Sequence, residues 1–273
     1  MRKLHLTTPR ETTGSALRVW LTERVTIEAG ETVLDEQRFA GRQGRLVFAY
    51  LLAARGRPVS CDELAETLWG DELPTTWKKA LGVLMSKLRA LLGECGIDGS
   101  QALTSAFGCY RLQLPEDSWV DIEAAADAVE RAEAALALDE PESARALATE
   151  ATALAGRPFL PGEDGLWAEE RQRELSELLV RGLSCLAEAS LRSDRADEAV
   201  RAAAQLTELE PFRESAYRLL MRAHVAGGNQ AEALRVYERC RCLLADELGS
   251  YPSPETEDEY LAILRAVPPF SLA

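Results

Sequence analysis

The sequence predicts a mainly α-helical chain in two parts, a small mixed α/β module followed by an all-α array of repeated helix pairs. Three observations lead there. Hydrophobic alternation typical of short strands is confined to the region before Pro115, and from Asp121 onward the apolar period is helical throughout. Charge changes at the same place: residues 1–115 hold 15 Lys/Arg against 13 Asp/Glu, a net of +2, and residues 116–273 hold 16 against 32, a net of −16. A weak self-similarity at an offset of 34 residues runs through the second part.

The first elements are strands. In "ALRVWLTERVTIEAGETVLD", Leu17, Val19 and Leu21 alternate with other residues, and Val25, Ile27 and Val33 flank a turn at Ala29-Gly30-Glu31. "GRLVFAYLLAARG" then reads as a helix from about Gln43, with Gly56 as its stop. "SCDELAETLWG" opens with a capping box, in which Ser60 accepts from the Glu63 amide while Glu63 reaches back, and its helix ends near Gly70. Pro74 and Thr75 start a third helix whose apolar stripe runs to Leu92. "ALTSAFGCYRLQL" closes the module as two strands joined around Phe107 and Gly108. Strands, three helices and a hairpin are the order of a winged helix-turn-helix, expected over residues 15–115.

Residues 116–268 are expected to form an all-α, tetratricopeptide-like domain. Leu186, Ala189, Glu198, Ala199, Arg201 and Leu209 recur as Leu220, Ala223, Glu232, Ala233, Arg235 and Leu243, and the joining segments "RSDRAD" and "AGGNQA" fall in register. Ala199 and Ala233 suit the close crossing of paired helices, and Pro211 ends the first repeat's second helix. Residues 122–155 make another helix pair in a different register. "GRPFLPGEDGLWAEERQ" interrupts the array, with Phe159 and Trp167 as anchors of that connection.

Composition excludes several classes. An apolar fraction of 47% with 28% charge is that of a globular chain. The longest apolar run, "LVFAYLLAA", is nine residues, too short to span a bilayer. The first residues show no secretion signal, so a cytoplasmic, nucleoid-associated location is expected. Six scattered cysteines form no Cys-x-x-Cys pair, and the only histidines, His5 and His224, are far apart, with His224 expected in the core. Neither a metal nor a cofactor is expected. Nucleotide-binding, nucleophile-elbow and zinc-protease motifs are absent, so no enzyme is expected.

The third helix carries the candidate site. On a wheel of about 100° per residue, Trp77, Leu81, Leu84, Met85, Leu88, Leu91 and Leu92 share one side. Lys78, Lys79, Gly82, Ser86 and Arg89 gather on the other, with Lys87 on the flank. Cations neutralise phosphates or read guanine edges, and small residues between them let the backbone approach a major groove. Arg42 and Arg45 at the start of the first helix, and Tyr110 and Arg111 in the hairpin, are expected to add contacts.

The stretch from Gly41 to Gly93 followed by "FGCYRL" resembles the OmpR/PhoB-type winged helix of the SARP family of actinobacterial antibiotic-pathway activators. The end of the chain, "ADELGSYPSPETEDEYLAIL", is similar to the bacterial transcriptional activator domain of that family. The most specific pieces are "LWGDELP", "ALGVLMSKLRALLG" and "ELGSYPSPETEDEY". The resemblance covers about residues 15–265 and implies a short, stand-alone activator of secondary metabolism. Such a protein binds repeated promoter half-sites as a dimer and recruits RNA polymerase holoenzyme. The hairpin tip "TSAFGC" departs from the family's Arg or Pro-Gly tip, and Trp77 with Lys78-Lys79 replaces less bulky residues. A protein-interaction adaptor whose winged helix no longer reads DNA is the alternative.

Overall fold

The computed structural model describes residues 17–266, and the chain divides into two compact units. His5 and the expected domain limits at residues 15 and 268 lie outside the described residues. One unit holds the chain through Asp121 together with Leu160–Gly165, and the other holds Ile122–Phe159 and the residues from Leu166 onward.

In the first unit, β1 (Arg18–Trp20), β2 (Thr26–Ala29) and β3 (Thr32–Leu34) form an antiparallel meander, with Val19 opposite Ile27 and Ile27 opposite Leu34. Gly30 supplies the left-handed backbone between β2 and β3 (φ +60°). Leu34, not Val33, faces the core, and Val33 is exposed. After a short 3-10 turn at Glu36–Arg38 come α1 (Gly41–Ala53), β4 (Val59–Ser60), α2 (Cys61–Trp69) and α3 (Trp77–Glu94). Then follow α4 (Gly99–Ala102), β5 (Leu103–Ala106), β6 (Cys109–Leu112) and β7 (Trp119–Val120). The first sheet has the order β3-β2-β1-β7 and the second β4-β6-β5.

Half of the expected capping box forms. Ser60 Oγ accepts from the Glu63 N–H at 3.0 Å, but the Glu63 carboxylate accepts from the Tyr50 hydroxyl and the Arg57 guanidinium, each at 2.6 Å. The core joins Val47, Phe48, Leu51 and Leu52 of α1 to Leu64 of α2, Leu81, Met85 and Leu92 of α3, and Leu103 and Leu112 of the hairpin.

This unit ends later than Pro115, because β7 runs parallel to β1, with Val120 opposite Val19. Asp121 fastens that strand. Its buried carboxylate accepts from the N–H groups of Leu21 and Thr22, each at 2.9 Å, and from the Thr22 hydroxyl at 2.7 Å. Leu160 adds a backbone bond to the Leu21 carbonyl at 3.1 Å, so residues from the Pro/Gly-rich connection belong to this unit.

The second unit is the helical array: α5 (Asp121–Ala137), α6 (Pro141–Ala155), α7 (Leu166–Arg192), α8 (Ala196–Leu209), α9 (Glu214–Ala226), α10 (Gln230–Leu248) and α11 (Pro254–Ala266). Successive helices from α6 to α11 pack on one another, and α5 meets α6 and α7 through Ala128, Val129, Ala135, Ala144, Ala151 and Ala189. Ala199 and Ala233 are fully buried at equivalent places of the two 34-residue repeats. Phe159 and Trp167 meet edge to face at 5.5 Å. His224 is half-buried in the last turn of α9 rather than enclosed in the core. Among the described residues, no helix is long and apolar enough to cross a membrane.

Asp121→Ala would leave two backbone N–H groups and one hydroxyl buried without their acceptor, a loss of about 2–5 kcal/mol. Urea denaturation followed by tryptophan fluorescence checks this, and a midpoint within error of wild type would contradict it.

Candidate nucleic-acid interface

The placement of α3 follows from its apolar stripe. Leu81, Leu84, Met85, Leu88, Leu91 and Leu92 are all buried, and together they fix the rotation of the helix. Outside, up to Ala90, are Lys78, Lys79, Gly82, Val83, Ser86, Lys87 and Ala90, all exposed, and the helix end adds exposed Gly93 and Glu94. No acidic residue occurs from Trp77 to Gly93. Lys78 Nζ lies 5.3 Å from the centre of the half-buried Trp77 ring, which holds it at the helix start.

The three lysines differ from four arginines of the same unit. Among the described residues, none of Lys78, Lys79 and Lys87 is in an ion pair, whereas Arg38, Arg42, Arg45 and Arg57 of the same unit each hold a carboxylate. The chain's one other lysine is Lys3. These four arginines fasten the protein to itself, whereas three of the chain's four lysines are concentrated on one helix face.

Gly82 sharpens this reading. It lies in the middle of an 18-residue helix, where glycine is unfavourable. A Cβ built there meets nothing within 4 Å. Nothing among the described residues packs against this position, so the helix surface at Gly82 is open.

The remaining expected residues are distributed differently. Arg89 is half-buried at the edge of the exposed face, and its Nε–H donates to the Leu103 carbonyl at 2.9 Å, joining α3 to the base of the hairpin. Gly99 permits this join, because a Cβ there would collide with the Arg89 backbone. Tyr110 is half-buried in β6, and burial, with the nearby Cys61 thiol, pushes its hydroxyl pKa up while Arg89 draws it down. Arg111 donates to the Gly56 carbonyl.

Arg45 is a correction. Its guanidinium, expected at a phosphate, is only 16% exposed and bonds Glu163 at 2.7 Å and Glu36 at 3.2 Å. Glu163, itself 1% exposed, also holds Arg42 at 2.7 Å. A carboxylate from residues 160–165 therefore neutralises the start of α1 and takes Arg45 out of the candidate interface. Val83, by contrast, went unnoticed in the sequence. It is 47% exposed and sits between Lys79 and Lys87 on the helix face.

A helix-turn-helix whose second helix presents unpaired cations, followed by a β-hairpin that pairs with the short strand preceding it, defines a winged-helix regulator class. Residues 120–264 match the family described as "Bacterial transcriptional activator domain". The chain belongs to this family, within its SARP group of transcriptional regulators. It is 34% identical over 226 residues to the regulatory protein AfsR of Streptomyces coelicolor, which covers 83% of this chain and 22% of AfsR. It is 30% identical over 224 residues to the transcriptional regulatory protein EmbR of Mycobacterium tuberculosis, covering 82% of this chain and 58% of EmbR. The chain thus spans about a fifth of the first relative and a little over half of the second. The solved structure of Mycobacterium tuberculosis EmbR in complex with a low-affinity phosphopeptide superposes with a TM-score of 0.82 at 28% identity. That match covers 92% of this chain and 66% of the other.

Because the space around Gly82 is open, Gly82→Ala should stabilise the protein by up to ~1 kcal/mol. Thermal unfolding checks this, and a lowered melting temperature would show that packing, not an external contact, selects glycine.

Proposed function

We propose that this chain is a sequence-specific DNA-binding transcriptional activator. In this reading it binds repeated promoter half-sites as a dimer and recruits RNA polymerase holoenzyme to a pathway-specific gene set of secondary metabolism. It acts in the cytoplasm at the nucleoid and catalyses no reaction. The observation that carries the reading is the exposed face of α3, where unpaired lysines flank Gly82, Val83 and Ser86. Lys78, Lys79 and Lys87 contact phosphates or guanine edges, Ser86 bonds a phosphate or a base, and Gly82 lets the helix axis come close. Val83 meets a thymine methyl, the apolar mark of the major groove. Arg89, Tyr110 and Arg111 contribute by holding the hairpin against α3. The net charge of −16 beyond residue 115 keeps the helical array off DNA and suits a basic surface on the transcription machinery.

Fluorescence anisotropy on the chain's own upstream DNA, against random duplex, tests the reading across a range of salt concentrations. Affinity should fall steeply with salt, and Lys79→Ala and Lys87→Ala should each reduce the log–log slope by about one. Gly82→Ala should weaken cognate binding while leaving the protein folded. Equal affinity for cognate and random duplexes would favour the adaptor alternative.

A further inference from the structure

The hairpin of β5 and β6 turns through Phe107 and Gly108. Phe107 is the most exposed large apolar side chain among the described residues, at 105% of its reference area. Ala106 pairs with Cys109, and both central residues are in the left-handed region, with φ of +51° and +74°. That is the backbone of a two-residue type I′ turn, which Asn-Gly makes with least strain. Here an aromatic residue takes the first position against steric resistance and buries nothing in return.

The tip is firmly held. Strand β6 is paired on both sides, by β4 and β5. The Cys61 N–H donates to the Gly108 carbonyl at 2.9 Å, and Arg89 bonds the base of β5 at Leu103. Beside the tip, burial pushes the Cys61 thiol up, with Cys109 and Asp62 adding to the rise, while the charge of Lys78 draws it down. From Thr104 to Tyr110 the hairpin carries no charge, so it offers no cation to a phosphate. It offers one projecting ring between the small residues Ala106 and Gly108. A protein-docking surface of ordinary size, by contrast, needs an apolar area many times that of one side chain.

We propose that Phe107 is a wedge whose ring enters between adjacent base pairs from the minor groove beside the major groove occupied by α3. Aromatic and aliphatic side chains used in this way unstack one step and kink the duplex, and steps that unstack easily are favoured. The wedge rests on the DNA-binding reading of α3 and adds a second contact, one that reads deformability rather than base edges.

The test uses duplexes that the full chain retains from a random-sequence pool. Bending is measured by circular permutation, and unstacking by 2-aminopurine fluorescence at each step. Wild type should bend the duplex by roughly 20° or more and brighten 2-aminopurine at one step per half-site. Phe107→Ala and Phe107→Asn, the second suited to the turn, should lose both signals and bind about tenfold more weakly. Phe107→Leu should keep most of each. Unchanged bending and fluorescence in the Ala and Asn variants overturn the wedge and leave the α3 reading standing. A defect confined to transcription also overturns it, since Phe107 would then meet protein. A wild-type chain that retains no duplex overturns the α3 reading itself.

Discussion

The burial of one stripe on α3 is the constraint on which the first unit depends. Six large apolar side chains, from Leu81 to Leu92, enter the core on a single face. Each contributes about 1.5–3 kcal/mol by leaving water. Rotating the helix by one residue would bring several of them out together, so the opposite face has no freedom either. Lys79, Gly82, Val83, Ser86 and Lys87 are outside because Leu81, Met85 and Leu88 are inside. Core packing and the proposed groove contact are two consequences of the same rotation.

Three polar fastenings keep the support in place. Asp121 closes β7 onto β1, Arg89 ties α3 to the hairpin, and Glu163 gathers Arg42 and Arg45 at the start of α1. All three are charged groups at least partly withdrawn from water and satisfied by named partners, a setting in which removing one partner costs far more than at an exposed pair. The arginines of this unit are largely occupied in such work. The lysines of α3 are not, and that contrast gives the exposed face its meaning more than its charge does.

Much of this was legible in the sequence because it rests on local periodicity. The wheel separated the buried and exposed faces of α3, the Ser60 cap placed α2, and the 34-residue offset placed the paired helices. What was not legible depended on distance along the chain or on a single exception to pattern. Arg45 looked free because its partner Glu163 is 118 residues away. Glu63 looked like a capping residue because Tyr50 and Arg57 reach it only after α1 and α2 have packed. β7 is two residues long, too short to show an alternation, and Asp121 gives no sign in sequence of the three donors it accepts. Val83 is apolar, and hydropathy alone assigns such a residue to a core.

The most direct measurement of the central claim is amine-selective acetylation of the full chain, with and without the duplex it retains, read residue by residue by mass spectrometry. Three of the chain's four lysines lie on α3, so the readout is nearly confined to the proposed contact face. If that face lies against duplex DNA, Lys78, Lys79 and Lys87 will be protected together when DNA is bound, and less so as salt is raised. Equal labelling of all three in the free and DNA-bound protein would place the contact elsewhere and contradict the account.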